Sequence, residues 1–199
     1  MQKCWEDRHR NNEQLYLTGS HLKDVLQSLN IKAVKIGGNT LVIGVGLGYE
    51  VQELREFTPF VDVLDISYFA LERVKDITRN QYLASELIKM PADYYDLVIS
   101  HLVTQHMSDM ALSSQLIWVI KALKKTGIFA MQLALLPGDK RKWHEIQNIE
   151  SQKTGYVFRS LLEMQDMVNS SSGYISATFP EKSFDHTDIK HQFIHIKRL

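Results

Sequence analysis

The stretch Thr40-Leu-Val-Ile-Gly-Val-Gly-Leu-Gly-Tyr-Glu50 constrains the chain most. The apolar run Leu41 to Ile43 reads as a buried strand. Gly44, Gly46 and Gly48 follow at alternate positions, and a helical pattern begins directly after them. Glycine lets the chain turn sharply and lets a ligand approach the backbone. A strand, a glycine turn and a helix N-terminus together make a nucleotide-type pocket at the carboxyl end of a parallel strand. Dinucleotide sites usually show G-x-G-x-x-G, whereas this chain has G-x-G-x-G followed by Tyr49 and Glu50. At this point a dinucleotide site and a plain glycine-rich turn both remain open.

A chain of 199 residues with 44% apolar content suits one α/β domain with a sizeable core. Lys+Arg and Asp+Glu number 23 each, so no global field favours nucleic acid or an acidic surface. A local basic patch, Lys140-Arg141-Lys142, remains. Cys4 stands alone, which excludes an internal disulfide framework and fits a reducing, cytoplasmic setting. The polar N-terminus has no signal-peptide core, and no apolar run approaches membrane-spanning length.

Residues 1 to 19 read as an irregular or partly helical arm containing Trp5 and Tyr16, each a packing or a lid residue. Ser20 stands as the cap of a helix with Leu22, Val25, Leu26 and Leu29 on one face. Gly37-Gly38-Asn39 breaks the chain before the first strand. After the glycine turn, Tyr49 to Phe57 reads as a helix and Phe60 to Asp65 as the second strand, with Ser67 capping the next helix. The acid at the end of strand two can accept hydrogen bonds from both ribose hydroxyls of an adenosine, or simply cap a helix. A short third strand, Gln81 to Glu86, and a fourth, Tyr94 to Ser100, follow. Ser108 or Asp109 starts a helix striped with Leu112, Leu116, Val119, Ile120 and Leu123, and Gly127 turns the chain into strand five. Polar, basic and aromatic residues mix over Leu136 to His144, including Arg141 and Trp143. A helix over Gly155 to Asn169 precedes a final hairpin, Tyr174 to Phe179 and Ile189 to Ile196. His186, His191 and His195 fall there without the spacing of a structural zinc site, so no metal is assigned.

In order and spacing, the glycine motif, Asp65, Tyr95-Asp-Leu-Val-Ile-Ser100, Gly127 and the terminal hairpin resemble the class I S-adenosylmethionine (SAM) methyltransferases. The resemblance runs from about residue 20 to the end. It implies a Rossmann-like α/β/α sandwich with a mostly parallel seven-stranded sheet and an antiparallel last strand. One domain over residues 1–199 is expected, with 1–38 as an N-terminal helical cap. The cofactor implied is SAM, with S-adenosylhomocysteine (SAH) as product. The residues it places at that cofactor are Gly44, Gly46, Gly48, Asp65, Ile66, Glu86, Leu87, Ser100 and His101. Glu86 matches the acid that meets the adenine amino group only loosely, and a surface role is open to it. His106, at the end of His101-Leu-Val-Thr-Gln-His106, is the candidate base, or alternatively a helix cap.

One departure stands out. The family usually carries an acid two residues before the first glycine, and here that residue is Val42. Glu50 or a backbone group is left to compensate, or SAM affinity is lower. The resemblance implies methyl transfer to a small-molecule acceptor, such as a hydroxyl of a sugar or other metabolite. A degenerate SAM-binding or non-catalytic partner protein with the same fold, a nicotinamide-dependent reductase and an RNA methyltransferase are the other readings. Neither a membrane nor a nucleic acid is expected as partner, and a homodimer is left open.

Overall fold

The computed structural model describes residues 2–11, 22–29, 38–135, 157–180 and 190–199. The expectations for Tyr16, Ser20, Gly37, Arg141, Trp143, Gly155 and His186 lie outside them. So do the whole Leu136 to His144 connection and the loop of the final hairpin.

Helices α1 (Gln2–Arg10) and α2 (Leu22–Ser28) precede the sheet. Then come β1 (Asn39–Ile43), α3 (Tyr49–Leu54), β2 (Phe60–Asp65), α4 (Tyr68–Arg73) and β3 (Gln81–Leu83). After β4 (Tyr95–Ser100) come α5 (Asp109–Ala122), β5 (Leu123–Leu135), α6 (Leu161–Ser170), β6 (Gly173–Pro180) and β7 (Lys190–Arg198). Short 3₁₀ segments cover Lys75–Ile77, Ala84–Lys89 (kinked at Glu86) and Thr104–His106.

The strand order is β3-β2-β1-β4-β5-β7-β6. β1 to β5 pair in parallel, and β7 runs antiparallel between β5 and β6. This is the seven-stranded sheet with an antiparallel last strand that the sequence led us to expect. The order reverses between β1 and β4, where an open α/β sheet leaves a crevice at the carboxyl ends of its strands.

Helices cover both faces of the sheet, which is why its strands read as continuous apolar runs rather than alternating ones. Leu41, Ile43, Val98, Phe129 and Met131 pack under α5 and α6, against Leu112, Leu116, Met164 and Val168. Val42, Val63, Leu97, Ile99 and Phe193 pack under α2, α3 and α4, against Val25, Val51, Leu54 and Leu71. The split follows the strand's period of two, so Val42 faces away from Leu41 and Ile43.

Several boundaries differ from the sequence expectation. The arm at residues 1 to 19, by contrast, contains the helix α1, in keeping with a partly helical reading. β3 stops at Leu83, and Ala84 opens a 3₁₀ turn that leads back toward β4. α3 ends at Leu54 rather than Phe57. α6 starts at Leu161, because Ser160 accepts from the Glu163 amide while the Glu163 carboxylate accepts from the Ser160 amide. That reciprocal capping box fixes the start of a helix at its first residue. Gly127 sits in the bulge that opens between Tyr95 and Leu97 in the β4–β5 pairing, and a Cβ there would fall 2.6 Å from the Tyr95 carbonyl oxygen.

Candidate active site

At the carboxyl ends of β1, β2 and β4 lies a cavity of about 300 Å³. Its floor is the glycine turn. Gly44, Gly46 and Gly48 have φ of 82°, 54° and 85°, in the left-handed region that L side chains rarely adopt. Sequence spacing therefore reflects backbone geometry here. At Gly44 a side chain is doubly excluded, since its Cβ would lie 2.1 Å from Cγ2 of Val103. Gly44 donates to the Leu64 carbonyl at 2.8 Å, which ties the turn to the end of β2. Gly44 and Gly46 line the cavity, whereas Gly48 faces Val74 and serves as the N-cap of α3.

Asp65 ends β2 in the cavity wall and is 5% exposed. Its carboxylate accepts from the Val45 amide at 2.6 Å and from the Ser67 amide at 2.8 Å. Burial pushes its pKa up, and the Ser67 amide, nearby His9 and the glycine-turn amides pull against that shift. Asp65 thus braces the glycine turn as well as facing the cavity. Ile66, the next residue, also lines the wall.

The 3₁₀ turn after β3 contributes Ala84 and Leu87 to the wall. Glu86 does not line the cavity; its carboxylate pairs with Lys89 on the exposed side of the same turn. Ser100 is fully buried with no hydrogen-bond partner for its hydroxyl, and it too stands outside the cavity lining. His101, its neighbour, lines the cavity. The His101 ring stacks on Phe193 at 5.8 Å, and its Nδ1 lies 3.6 Å from Oε1 of Glu50. Val42 and Glu50 are both in the wall, so the acid there comes from α3 rather than from position 42.

Helix α1 closes the site from above. Glu6 accepts from the Ser67 hydroxyl at 2.8 Å and the Tyr68 amide at 2.9 Å, which docks α1 on the first turn of α4. Burial raises the Glu6 pKa, but those bonds outweigh it and the net shift is downward. Arg73 donates to the carbonyls of His9 and Gly46, joining α1 to the glycine turn. Trp5 and His9 line the cavity, and the Trp5 ring meets that of His106 edge-on at 4.9 Å. Trp5 thus both lines the cavity and packs against neighbouring rings.

His106 ends the 3₁₀ turn Thr104–His106 and lines the cavity, as do Leu102, Val103 and Met107. Arg159 holds this segment. It is 2% exposed and donates to the carbonyls of Thr104 at 2.9 Å and Met107 at 2.6 Å, and to Asp109 at 2.9 Å. Gln132 accepts from the Leu102 amide at 2.9 Å and fixes the segment's other end. The last wall is α5, which presents Ala111, Ser114 and Gln115 at helical spacing. Gln115 is 3% exposed, and its Nε2 has no hydrogen-bond partner.

Glu6, His9, Gln115 and Arg159 were not singled out by sequence reasoning. For Gln115 a signal existed: it borders the apolar stripe Leu112, Leu116 and Val119, where a polar residue is out of place. Arg159 stands directly before the Ser160–Glu163 capping box, a recognisable helix start. Glu6 and His9 carry no such signal. His191 and His195 share a face of β7, both buried; His195 lies 3.1 Å from the Ser28 hydroxyl and His191 senses His101. Among the described residues, no group of three or more His, Cys, Asp or Glu is placed to hold a metal ion. Among the same residues no helix is long and apolar enough to cross a membrane.

No family model and no curated protein matches the sequence. Solved structures do match the fold. The 1,6-didemethyltoxoflavin-N1-methyltransferase of Burkholderia thailandensis, solved with its substrate and SAH, has a TM-score of 0.71 at 9% identity, covering 99% of this chain and 86% of that one. The magnesium protoporphyrin IX methyltransferase of Synechocystis PCC 6803, solved with SAH, has a TM-score of 0.68 at 12% identity and covers 100% and 99%. The YcgJ protein of Bacillus subtilis has a TM-score of 0.68 at 16% identity and covers 90% and 100%. With its strand order, its antiparallel β7 and its crevice at the β1–β4 reversal, the chain has the fold of the class I SAM-dependent methyltransferases.

Proposed function

We propose that the chain binds SAM in this cavity and transfers its methyl group to the hydroxyl oxygen of a small molecule, a sugar or another metabolite. The observation that carries the reading is one cavity whose wall joins the glycine turn, Asp65 and His106 at the strand-order reversal. The residues present fit the cofactor. A turn without side chains lets a ligand lie against the backbone. The Asp65 carboxylate retains acceptor capacity for ribose hydroxyls beyond its bonds to backbone amides. Glu50, beside His101, supplies the negative charge that Val42 does not, and suits the ammonium of the methionine end.

Bound SAM supplies a methyl carbon made electrophilic by its sulfonium. The protein's share is placement, which in well-oriented reactions accounts for much of the rate. Trp5 and α1 screen the site from water, and Arg159 and Gln132 hold the segment that carries His106. His106 takes the proton of the acceptor hydroxyl.

Calorimetric titration with SAM, SAH and NADH tests the cofactor. Saturable SAH binding weakened in Asp65→Asn, with the variant still folded, is the expected result. Binding of NADH alone would overturn the reading. Loss of methyl transfer in His106→Ala with SAH binding retained supports the base; unchanged turnover removes it. A second reading, a SAM-binding protein without chemistry, is favoured by Val42 alone. SAH binding without transfer to any of a panel of hydroxylated metabolites would select it.

A further inference from the structure

We infer that Gln115 reads the edge of the adenine base, an inference that rests on the SAM reading above. Asp65 marks the ribose end of the cavity, and the walls beyond it are Ile66 after β2 and Ala84 and Leu87 after β3. α5 packs against that post-β3 turn and contributes Ala111, Ser114 and Gln115 to the same wall. Ile66, Ala84, Leu87 and Ala111 make this end largely apolar, which suits a heteroaromatic ring. A purine there presents a polar edge, and the wall must answer it or leave it unsatisfied.

Glu86, the nearest acid in sequence, is turned outward to Lys89. Gln115 is the polar side chain of α5 that is both in the wall and almost fully buried, with an amide donor that the protein leaves unused. A buried donor without a partner is costly unless a ligand completes it. A carboxamide carries a donor and an acceptor side by side, and adenine offers the complementary pair: the 6-amino group donates and an adjacent ring nitrogen accepts. Gln115 therefore recognises the base with two hydrogen bonds, Oε1 accepting from the amino group and Nε2 donating to the ring nitrogen.

The experiment compares SAH with its 6-desamino analogue, in which purine replaces adenine, by calorimetry on the whole chain. Gln115→Leu and Gln115→Met are the variants. Both replace an unsatisfied amide with an apolar side chain, so the unliganded protein keeps or gains thermal stability, which a melting curve verifies. The wild type is expected to prefer SAH over the analogue by about tenfold or more, the scale of a bidentate carboxamide–adenine pair. Both variants should bind SAH about tenfold more weakly or worse, and the preference should fall close to unity. Wild-type-like SAH binding in the folded variants, or a preference that survives in them, overturns the role of Gln115 and leaves the SAM reading standing. A wild type that binds neither compound removes both together.

Discussion

The segment that carries His106 depends on one buried guanidinium, and Arg159→Met tests this directly. Arg159 donates to two backbone carbonyls, Thr104 and Met107, and to Asp109, whose side chain is 63% exposed. Truncation leaves the Met107 carbonyl without this donor, at ~1–3 kcal/mol, while the Thr104 carbonyl loses one of two donors and keeps the Met107 amide. Asp109 returns to water at little cost. Relief from burying a charge offsets part of the loss; burial already holds the Arg159 pKa below its ordinary value. The net expectation is a loss of ~1–3 kcal/mol, which for a chain this size lowers Tm by roughly 2–12 °C. Urea and thermal unfolding measure it. Amide hydrogen exchange at His106 and Met107, whose N–H groups bond the Val103 and Thr104 carbonyls, should quicken more than exchange in β4. Asp109→Ala is the control: the carbonyls stay satisfied, so it should cost clearly less. If Asp109→Ala costs as much as Arg159→Met, the ion pair rather than carbonyl satisfaction holds the segment, and the reasoning is wrong.

Three further outcomes follow from the same geometry. Gly44→Ala forces a left-handed alanine against Val103, so a Tm drop from at least ~1–2 kcal/mol of strain is expected, with loss of SAH binding by calorimetry. Asp62 is fully buried and accepts from Arg79, the Asn80 amide and the Tyr95 hydroxyl, so Asp62→Ala should cost ~3–5 kcal/mol by urea unfolding, and a loss under 1 kcal/mol would refute its part in the fold. His191 and His195 both have pKa values lowered by burial, with His101 and Lys197 adding to the shift. Below about pH 6.5 the unfolded chain then binds protons that the folded chain refuses, so stability is full above that pH and declines as pH falls through the folded values. Tm should drop between pH 7.5 and 5.5, and drop less in a His191→Gln, His195→Gln double variant; equal drops would rule these histidines out as the cause.

The elements legible in the sequence are those whose cause is local. An apolar run before three glycines specifies a strand and a turn because only glycine accepts the φ values that the turn needs. Asp65 and Ser67 declare the end of one strand and the start of a helix, and Ser108 does the same for α5. The sheet with its antiparallel β7 was expected through the family resemblance that the order of these signals carries. Boundaries were less legible where tertiary packing decides them, as at β3, which ends at Leu83 because the chain must turn back over the sheet edge.

The site divides in the same way. The chain's own order determined that a glycine turn, an acid and a histidine segment meet at the strand ends, because a parallel sheet brings the carboxyl ends of β1, β2 and β4 together. Only the tertiary structure decided which neighbours complete it. Glu86 turns to Lys89 while Gln115, from the next helix, enters the wall. Trp5 and His9 reach the cavity because Glu6 caps a helix some sixty residues away. Arg159, more than fifty residues further along and just before α6, stands behind His106. Such contacts depend on the rotation and docking of whole elements, and the periodicity of a single segment carries no information about what packs against it.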